Sequence, residues 1–498
     1  MLTKEWAVLK NGSDIRGVAS EGIPGASVNL TDDVISAIAK SFIVFLTAKY
    51  DVKPEDITIS IGHDSRISAQ RIKNACIKAI TQSGANVYDF GLCTTPAMFM
   101  STVDDELNVF ASIMLTASHL PFNRNGMKFF TREGGLEGGD ITEILSYAQD
   151  GNTTSCSTKG KVFDFDYLSR YAKNIAELIQ RETGLEAPFE NMKIAVDAGN
   201  GAGGFYAEKV LKVLGADVSG SCFLEPDGTF PNHIPNPEDK DAMRAISQAV
   251  LSSNSDLGVI FDTDVDRAAI VDDTGREINK NKLIALISAV LLEEKKGTIV
   301  TDSVTSTGLA EFINKDLGGV HHRFKRGYKN VINEAKRLNA EGSYSPLAIE
   351  TSGHAALLEN YFLDDGAYLV TKLLIKAVKM RSEGRKLTEL IKTLKEPEIA
   401  TGYRLNLTGE DFKTDGQKIL NDLKDTVKNS NIMSLEEPNY EGVRVNVDEG
   451  WFLLRLSLHD PLMPLDIQCD NKNCLDKIYK FLKEFLSGYD FIDITALP

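Results

Sequence analysis

Two short clusters in this chain hold residue types that can move a phosphoryl group. Thr116-Ala117-Ser118-His119 comes straight off an apolar run at residues 109–115 and is followed by Asn125-Gly126-Met127-Lys128. An apolar run of that length bounded by small polar residues reads as a buried strand. Ser118 then sits on the loop at its end, where a hydroxyl is held rigidly and can still be reached. Alone, a Ser-His pair reads as a turn, so its meaning rests on what else the chain supplies. It supplies Asp262-Thr263-Asp264-Val265-Asp266 at the end of the apolar run 257–261. Three carboxylates without His or Cys form a hard oxygen set suited to Mg²⁺, and packed so closely they repel one another unless a cation intervenes. A calcium loop of the EF-hand type needs Gly at its sixth position and Glu at its twelfth, where Arg267 and Asp273 stand. Arg267 is suited to bidentate capture of a phosphate beside the metal.

Two later clusters could bind a sugar phosphate. Glu350-Thr351-Ser352-Gly353-His354 follows the apolar 347–349 and offers a carboxylate and an imidazole as acceptor and donor for vicinal hydroxyls. Arg455-Leu456-Ser457-Leu458-His459-Asp460-Pro461 offers a guanidinium and a hydroxyl. A competing signal is Gly199-Asn200-Gly201-Ala202-Gly203-Gly204, a G-x-G-x-x-G pattern with Glu225 at the distance of a ribose contact. It keeps an NAD-dependent dehydrogenase open as an alternative, although that reading leaves Ser118 and the aspartates unexplained.

Taken in order, these clusters resemble the α-D-phosphohexomutases, the family of phosphoglucomutases, phosphomannomutases and phosphoglucosamine mutases. The resemblance implies a phosphohexomutase, an isomerase that interconverts hexose 1-phosphate and hexose 6-phosphate of mannose and/or glucose. Phosphorylated Ser118 gives its phosphoryl group to the substrate, and a bisphosphorylated sugar returns the other phosphate. It implies Mg²⁺ held by Ser118, Asp262, Asp264 and Asp266. Arg16, Lys128, His119 and Arg267 surround the transfer, with Lys128 handling the hydroxyl proton. Glu350, Ser352 and His354, with Lys325, Gly327 and Tyr328, contact the sugar, while Arg455, Ser457 and His459 hold the phosphate that is not being transferred. The chain departs from the family at Ile349 and Thr351, where Gly-Glu-Met-Ser-Gly-His is usual, and at Tyr328, where many members have His. Leu456, Leu458 and His459 replace Pro, Gly and Thr. Alternatives are a phosphoglucosamine mutase and a non-catalytic sugar-phosphate-binding protein.

The composition fits that chemistry. A net charge of −16 argues against a nucleic-acid backbone as partner, so an anionic substrate must meet local positive charge. Six scattered cysteines lack C-x-x-C spacing and indicate neither a zinc site nor a disulfide framework. The start of the chain has no apolar signal region, and the longest apolar stretch, 283–292, is short of a membrane span. A cytoplasmic protein, monomer or weak homodimer, is expected.

At 498 residues the chain calls for several domains. A helix capped by Thr31 and running to about Tyr50 precedes a β/α alternation: strands at 57–61, 86–90 and 109–115 and a helix at 69–84. A second cycle has strands at 192–196, 257–261 and 268–271 and helices at 205–215 and 241–252. A third opens with the apolar helix 282–293, continues through the strand at 298–300 and closes with a helix over 367–381. The tail alternates as strands at 443–447 and 451–456 with one basic helix at 474–486. The expected fold is α/β: three similar mixed-sheet domains around a central cleft plus a C-terminal α+β domain. Boundaries fall in the polar stretch 150–161 and near Glu396-Pro397-Glu398, giving 1–158, 159–276, 277–398 and 399–498.

Overall fold

A computed structural model of the chain describes residues 1–152, 156, 158–457 and 460–498. The chain packs as two compact units, Met1–Asn279 with Ser352–Glu389, and Lys280–Thr351 with Leu390–Pro498.

In the first unit, Thr58–His63 pairs in parallel with Ala111–Leu115 on one side and Asn86–Leu92 on the other. The sheet continues antiparallel through Arg124–Thr131 to Asp14–Val18. All five residues of Ala111–Leu115 are buried, as an uninterrupted apolar run requires of a central strand. Helices Asp32–Tyr50, Ala69–Gln82 and Gly138–Gln149 supply the apolar layer, with Phe42 and Phe129 meeting at 4.6 Å between ring centroids. Thr31 caps the first of these by accepting from Val34 N–H, as its sequence predicts. The helix Thr95–Val103 was not foreseen; its apolar TPAMFMSTV is buried almost throughout and shows little periodicity.

The same unit holds a second mixed sheet. Ile194–Asp197 runs parallel to Leu257–Phe261, which pairs antiparallel with Ala268–Asp272. The register Phe261↔Ala268 makes Asp262 to Arg267 a hairpin loop. The helix expected at 205–215 is instead a widened π-type turn, Tyr206–Leu211, closed by Lys212 N–H to Ala207 O. Two long helices, Tyr167–Thr183 and Gly366–Ser382, pack together; the first was not expected, although Leu168, Tyr171, Ala172, Ile175, Ala176 and Ile179 form a buried stripe at helical spacing behind an Asp166 cap.

In the second unit, Thr298–Thr301 lies parallel between Val320–Arg323 and Leu347–Ile349. The preceding helix Asn281–Glu294 is buried from Leu283 through Leu292, which explains a long apolar stretch without a membrane. Among the described residues no helix is long and apolar enough to cross one. The tail forms an antiparallel sheet of five strands, with Leu462–Cys469 between Ile399–Asn406 and Gly450–Leu454. Two helices pack on it where one was expected. Lys472–Leu486 is accompanied by Phe412–Lys428, whose stripe Ile419, Leu420, Leu423 and Val427 is preceded by a helix-weakening Gly416.

Asp365 caps Gly366–Ser382 and accepts from the Tyr171 hydroxyl at 2.7 and 2.8 Å, joining the two long helices. Burial pushes its carboxyl up to about 6, and the Tyr171 and Tyr368 donors restrain the rise. A raised carboxyl favours the folded state at low pH and withdraws that support as pH climbs through about 6, where the folded carboxyl ionises. Tyr171→Phe removes a donor that the ionised form needs more. Its penalty, read by denaturant unfolding, should therefore grow from pH 5 to about 1–3 kcal/mol at pH 8. An equal penalty at both pH values would contradict this role.

Candidate functional site

The loop carrying Ser118 is fastened from below. Asp64 and Arg66, at the end of Thr58–His63, are both buried and paired at 3.3 Å. The Arg66 guanidinium donates to the carbonyls of Pro121 (2.8 Å), Arg124 (2.9 Å), Leu120 (2.6 Å) and Ser118. Asp64 accepts from the Thr116 hydroxyl at 2.7 Å, and Thr116 Oγ1 accepts from Ser118 N–H at 2.9 Å. Burial raises the Asp64 carboxyl to about 6 while Arg66 pulls it down. So held, Ser118 adopts φ +49°, a left-handed conformation that a non-glycine residue takes only when its surroundings impose it.

Ser118 meets the aspartate loop from more than a hundred residues away. Its Oγ donates to Asp262 Oδ2 at 3.1 Å and accepts from Arg267 Nη2 at 2.8 Å. The expectation of an open hydroxyl needs correction. Ser118 is 2% exposed, covered by Arg267 and by His119, whose Nδ1 lies 3.3 Å from Oγ and accepts from the same guanidinium nitrogen. Burial, reinforced by Arg267 and Arg16, lowers His119 to about 3, so its imidazole is neutral near pH 7. Arg16 itself pairs with Asp14 at 3.0 Å.

Asp262, Asp264 and Asp266 are buried, and an oxygen of each lies within 4.8 Å of the others. Burial raises Asp262 well above the usual carboxylate range, and Asp266 and Asp264 add to the rise. Burial also works to raise Asp266, but Lys128, His354 and Arg267 outweigh it and hold that carboxyl low. Lys128 donates to Asp264 at 3.1 Å and to Asp266, and Thr95 donates to Asp264. Asp264 Oδ1 and Asp266 Oδ1 are buried without a hydrogen-bond donor. Two stranded hard acceptors within a triad of acids fit a divalent cation of the Mg²⁺ class. Val265, at the apex of the loop, is forced to φ +68°, a costly conformation for a β-branched residue and one that turns the flanking acids inward.

The loop expected to read the sugar is divided between the units. In the first, Ser352 is buried and Gly353 turns at φ +94°. His354 meets Asp364 at 2.5 Å and lies 3.8 Å from Asp266. Burial would lower His354, but Asp364 and Asp266 prevail and raise it. Its Nδ1 edge therefore belongs to the acid cluster. In the second unit, Glu350 accepts from Gly327 N–H at 2.5 Å, at the start of the helix Tyr328–Ala340. Lys325 and Ser457 line a cavity of about 870 Å³ together with Arg326, Lys418 and Tyr440. Arg455 pairs with Asp466 at 2.8 Å. His459 and Leu458 lie outside the described residues.

Asp64, Arg66, Thr95 and Asp364 were missed. Asp64-Ser65-Arg66 follows the strand Thr58–His63 much as Ser118 follows Ala111–Leu115, and that parallel was the available signal. The glycine loop has another task than a dinucleotide. A Cβ on Gly201 would stand 2.6 Å from Thr263 O, and the N–H groups of Asn200, Gly201 and Ala202 already bond Phe223, Ala198 and Thr263. Its glycines let that segment pack against the aspartate loop.

Comparison with known proteins gives the family. Family models for phosphoglucomutase/phosphomannomutase alpha/beta/alpha domains I, II and III match residues 7–153, 169–275 and 279–397. A phosphoglucomutase of Neisseria meningitidis serogroup A is 27% identical over 476 residues, covering 95% of this chain and 96% of that protein. A phosphomannomutase/phosphoglucomutase of Pseudomonas syringae pv. tomato is 28% identical over 478 residues, covering 93% and 92%. The crystal structure of a Burkholderia thailandensis phosphoglucomutase/phosphomannomutase family protein has the same fold, with a TM-score of 0.79, 24% identity and 98% of each chain covered. Three consecutive domain matches and relatives aligned from end to end show that this chain belongs to the α-D-phosphohexomutase family of phosphoglucomutases and phosphomannomutases, and that it is a phosphohexomutase, an isomerase working by phosphoryl transfer.

Proposed function

We propose that the chain interconverts the 1- and 6-phosphates of glucose and/or mannose, with Ser118 as the phosphoryl carrier and Mg²⁺ as the cofactor. The observation that carries this reading is the Ser118 Oγ, hydrogen-bonded to both Asp262 and Arg267. The sugar class rests on the names of the full-length relatives. We read the chain as four domains, 1–158, 159–276, 277–398 and 399–498, with the transfer chemistry drawn from the first two.

In the forward half-reaction the bond between phosphorus and Ser118 Oγ breaks as a sugar hydroxyl bonds to the same phosphorus, and the proton that hydroxyl loses ends on the freed Ser118 Oγ. In the second half the other phosphate of the bisphosphorylated sugar passes to Ser118 Oγ. Such transfer relies on positioning and on neutralising charge spread over the phosphoryl oxygens. Arg267 supplies donors directly at the seryl oxygen, and neutral His119 aims that guanidinium by accepting from it. The Lys128 ammonium, bonded to Asp264 and Asp266, is a counter-charge to the acids, and we assign to it the handling of the hydroxyl proton as well. Asp262, Asp264 and Asp266, with the Ser118 oxygen, would hold Mg²⁺, which when bound supplies Lewis-acid neutralisation of the phosphoryl group. We assign Glu350, Ser352 and His354 to the sugar, and Arg455 and Ser457 to the phosphate at rest.

Three outcomes follow. Ser118→Ala should abolish mutase activity with folding intact, and the wild-type protein should lose one phosphate of intact mass on mixing with substrate; a fully active alanine variant contradicts the mechanism. Arg267→Met should lower kcat by about 10²–10³, the scale for removing one donor to a developing anion. Chelation should remove activity and Mg²⁺ restore it, measured in a coupled assay with glucose 1-phosphate; full activity after exhaustive chelation contradicts the cofactor.

A further inference from the structure

The phosphate clamp of the second unit already has an anion on it. Glu441, in Asn439-Tyr440-Glu441-Gly442, brings one carboxylate oxygen 3.5 Å from Arg455 Nη1. Its other oxygen accepts from Ser303 Oγ at 2.6 Å and from Arg326 N–H at 3.0 Å. A guanidinium, a hydroxyl and a backbone N–H around one planar anion are also the donors a phosphate group uses. The loop is built for this approach. Gly442 turns at φ +59°, and a Cβ there would meet Arg455 Cγ at 2.8 Å and Leu454 O at 2.3 Å. Asn439 accepts from Glu441 N–H and donates to Gly442 O, fixing the turn.

Arg455 thus faces two carboxylates, and they differ. Asp466 is the nearer at 2.8 Å and is not part of the wall of the 870 Å³ cavity, whereas Glu441 and Gly442 line that cavity beside Lys325, Arg326 and Ser457. Arg455 is not part of that wall either, so Glu441, Arg326 and Ser457 are the members of the clamp that line the cavity. We propose that Glu441 is a resident counter-anion on this clamp: its carboxylate holds the place beside Arg455 that a substrate phosphate claims, and so limits the affinity of the site for phosphate. The inference rests on reading Arg455 and Ser457 as the clamp. A weakened clamp suits a reaction in which the bisphosphorylated sugar must present both ends in turn, because a phosphate held too tightly would not leave.

The test is Glu441→Gln in the full chain, which removes the charge and keeps an amide oxygen for Ser303 and Arg326. Inorganic phosphate binding, measured by titration calorimetry, should tighten by about tenfold, the scale of removing one opposing charge near the surface. The KM for glucose 1-phosphate should fall in parallel. Glu441→Asp, which retains the charge, should not tighten binding. Unchanged or weaker phosphate binding in Glu441→Gln, with its thermal midpoint at the wild-type value, overturns the proposal and leaves Glu441 a structural tie. Arg455→Met separates the underlying reading. If that variant binds phosphate as well as wild type, the clamp assignment fails and the inference with it. If it loses binding while Glu441→Gln gains none, the inference alone fails.

Discussion

Three carboxylates whose side chains are at most 2% exposed share a few ångströms of protein interior. That crowding is the constraint from which the rest of the first unit follows. Unpaired charges so placed would be expelled or protonated. The response visible in the structure is to surround them with Lys128, Arg267 and His354, and to leave Asp264 Oδ1 and Asp266 Oδ1 as acceptors for a further positive charge. Two hard oxygens left without a donor among three buried acids are what a compact divalent cation would satisfy.

The architecture serves that arrangement. The Ser118 loop ends a central strand and is pinned through Arg66 to four carbonyls, so its hydroxyl has little freedom. The aspartate loop is a strained hairpin between antiparallel strands, backed by a glycine segment that approaches where a side chain could not fit. Rigid supports on both sides keep a seryl oxygen within hydrogen-bond reach of Asp262. Preorganisation of that kind is what phosphoryl transfer gains most from, since the protein contributes placement and charge more than covalent chemistry.

Much of this was legible in the residues. Ser118 and the Asp262 to Asp266 loop both follow apolar runs, and the pleat of a buried strand dictates where its terminal loop begins. What the sequence concealed depended on tertiary pairing. Asp364 joins the acids through His354, so the histidine expected to face a sugar has one edge committed to a carboxylate. Arg66 acts on carbonyls more than fifty residues away, and no spacing rule points to them. Glu441 gains its meaning only from its closeness to Arg455. The helix Phe412–Lys428 was obscured by Gly416 in its second turn, whose low propensity is overridden by packing against Leu456 and Leu407.

The claim on which all else depends is that the Ser118 oxygen and the three aspartates share one divalent ion. Anomalous diffraction from crystals grown with Mn²⁺ in place of Mg²⁺ tests it most directly. The account requires one strong peak bonded to Asp262, Asp264 and Asp266 and to the oxygen, or the phosphate, of Ser118. A peak elsewhere, or none at that position with the acids ordered, would contradict it.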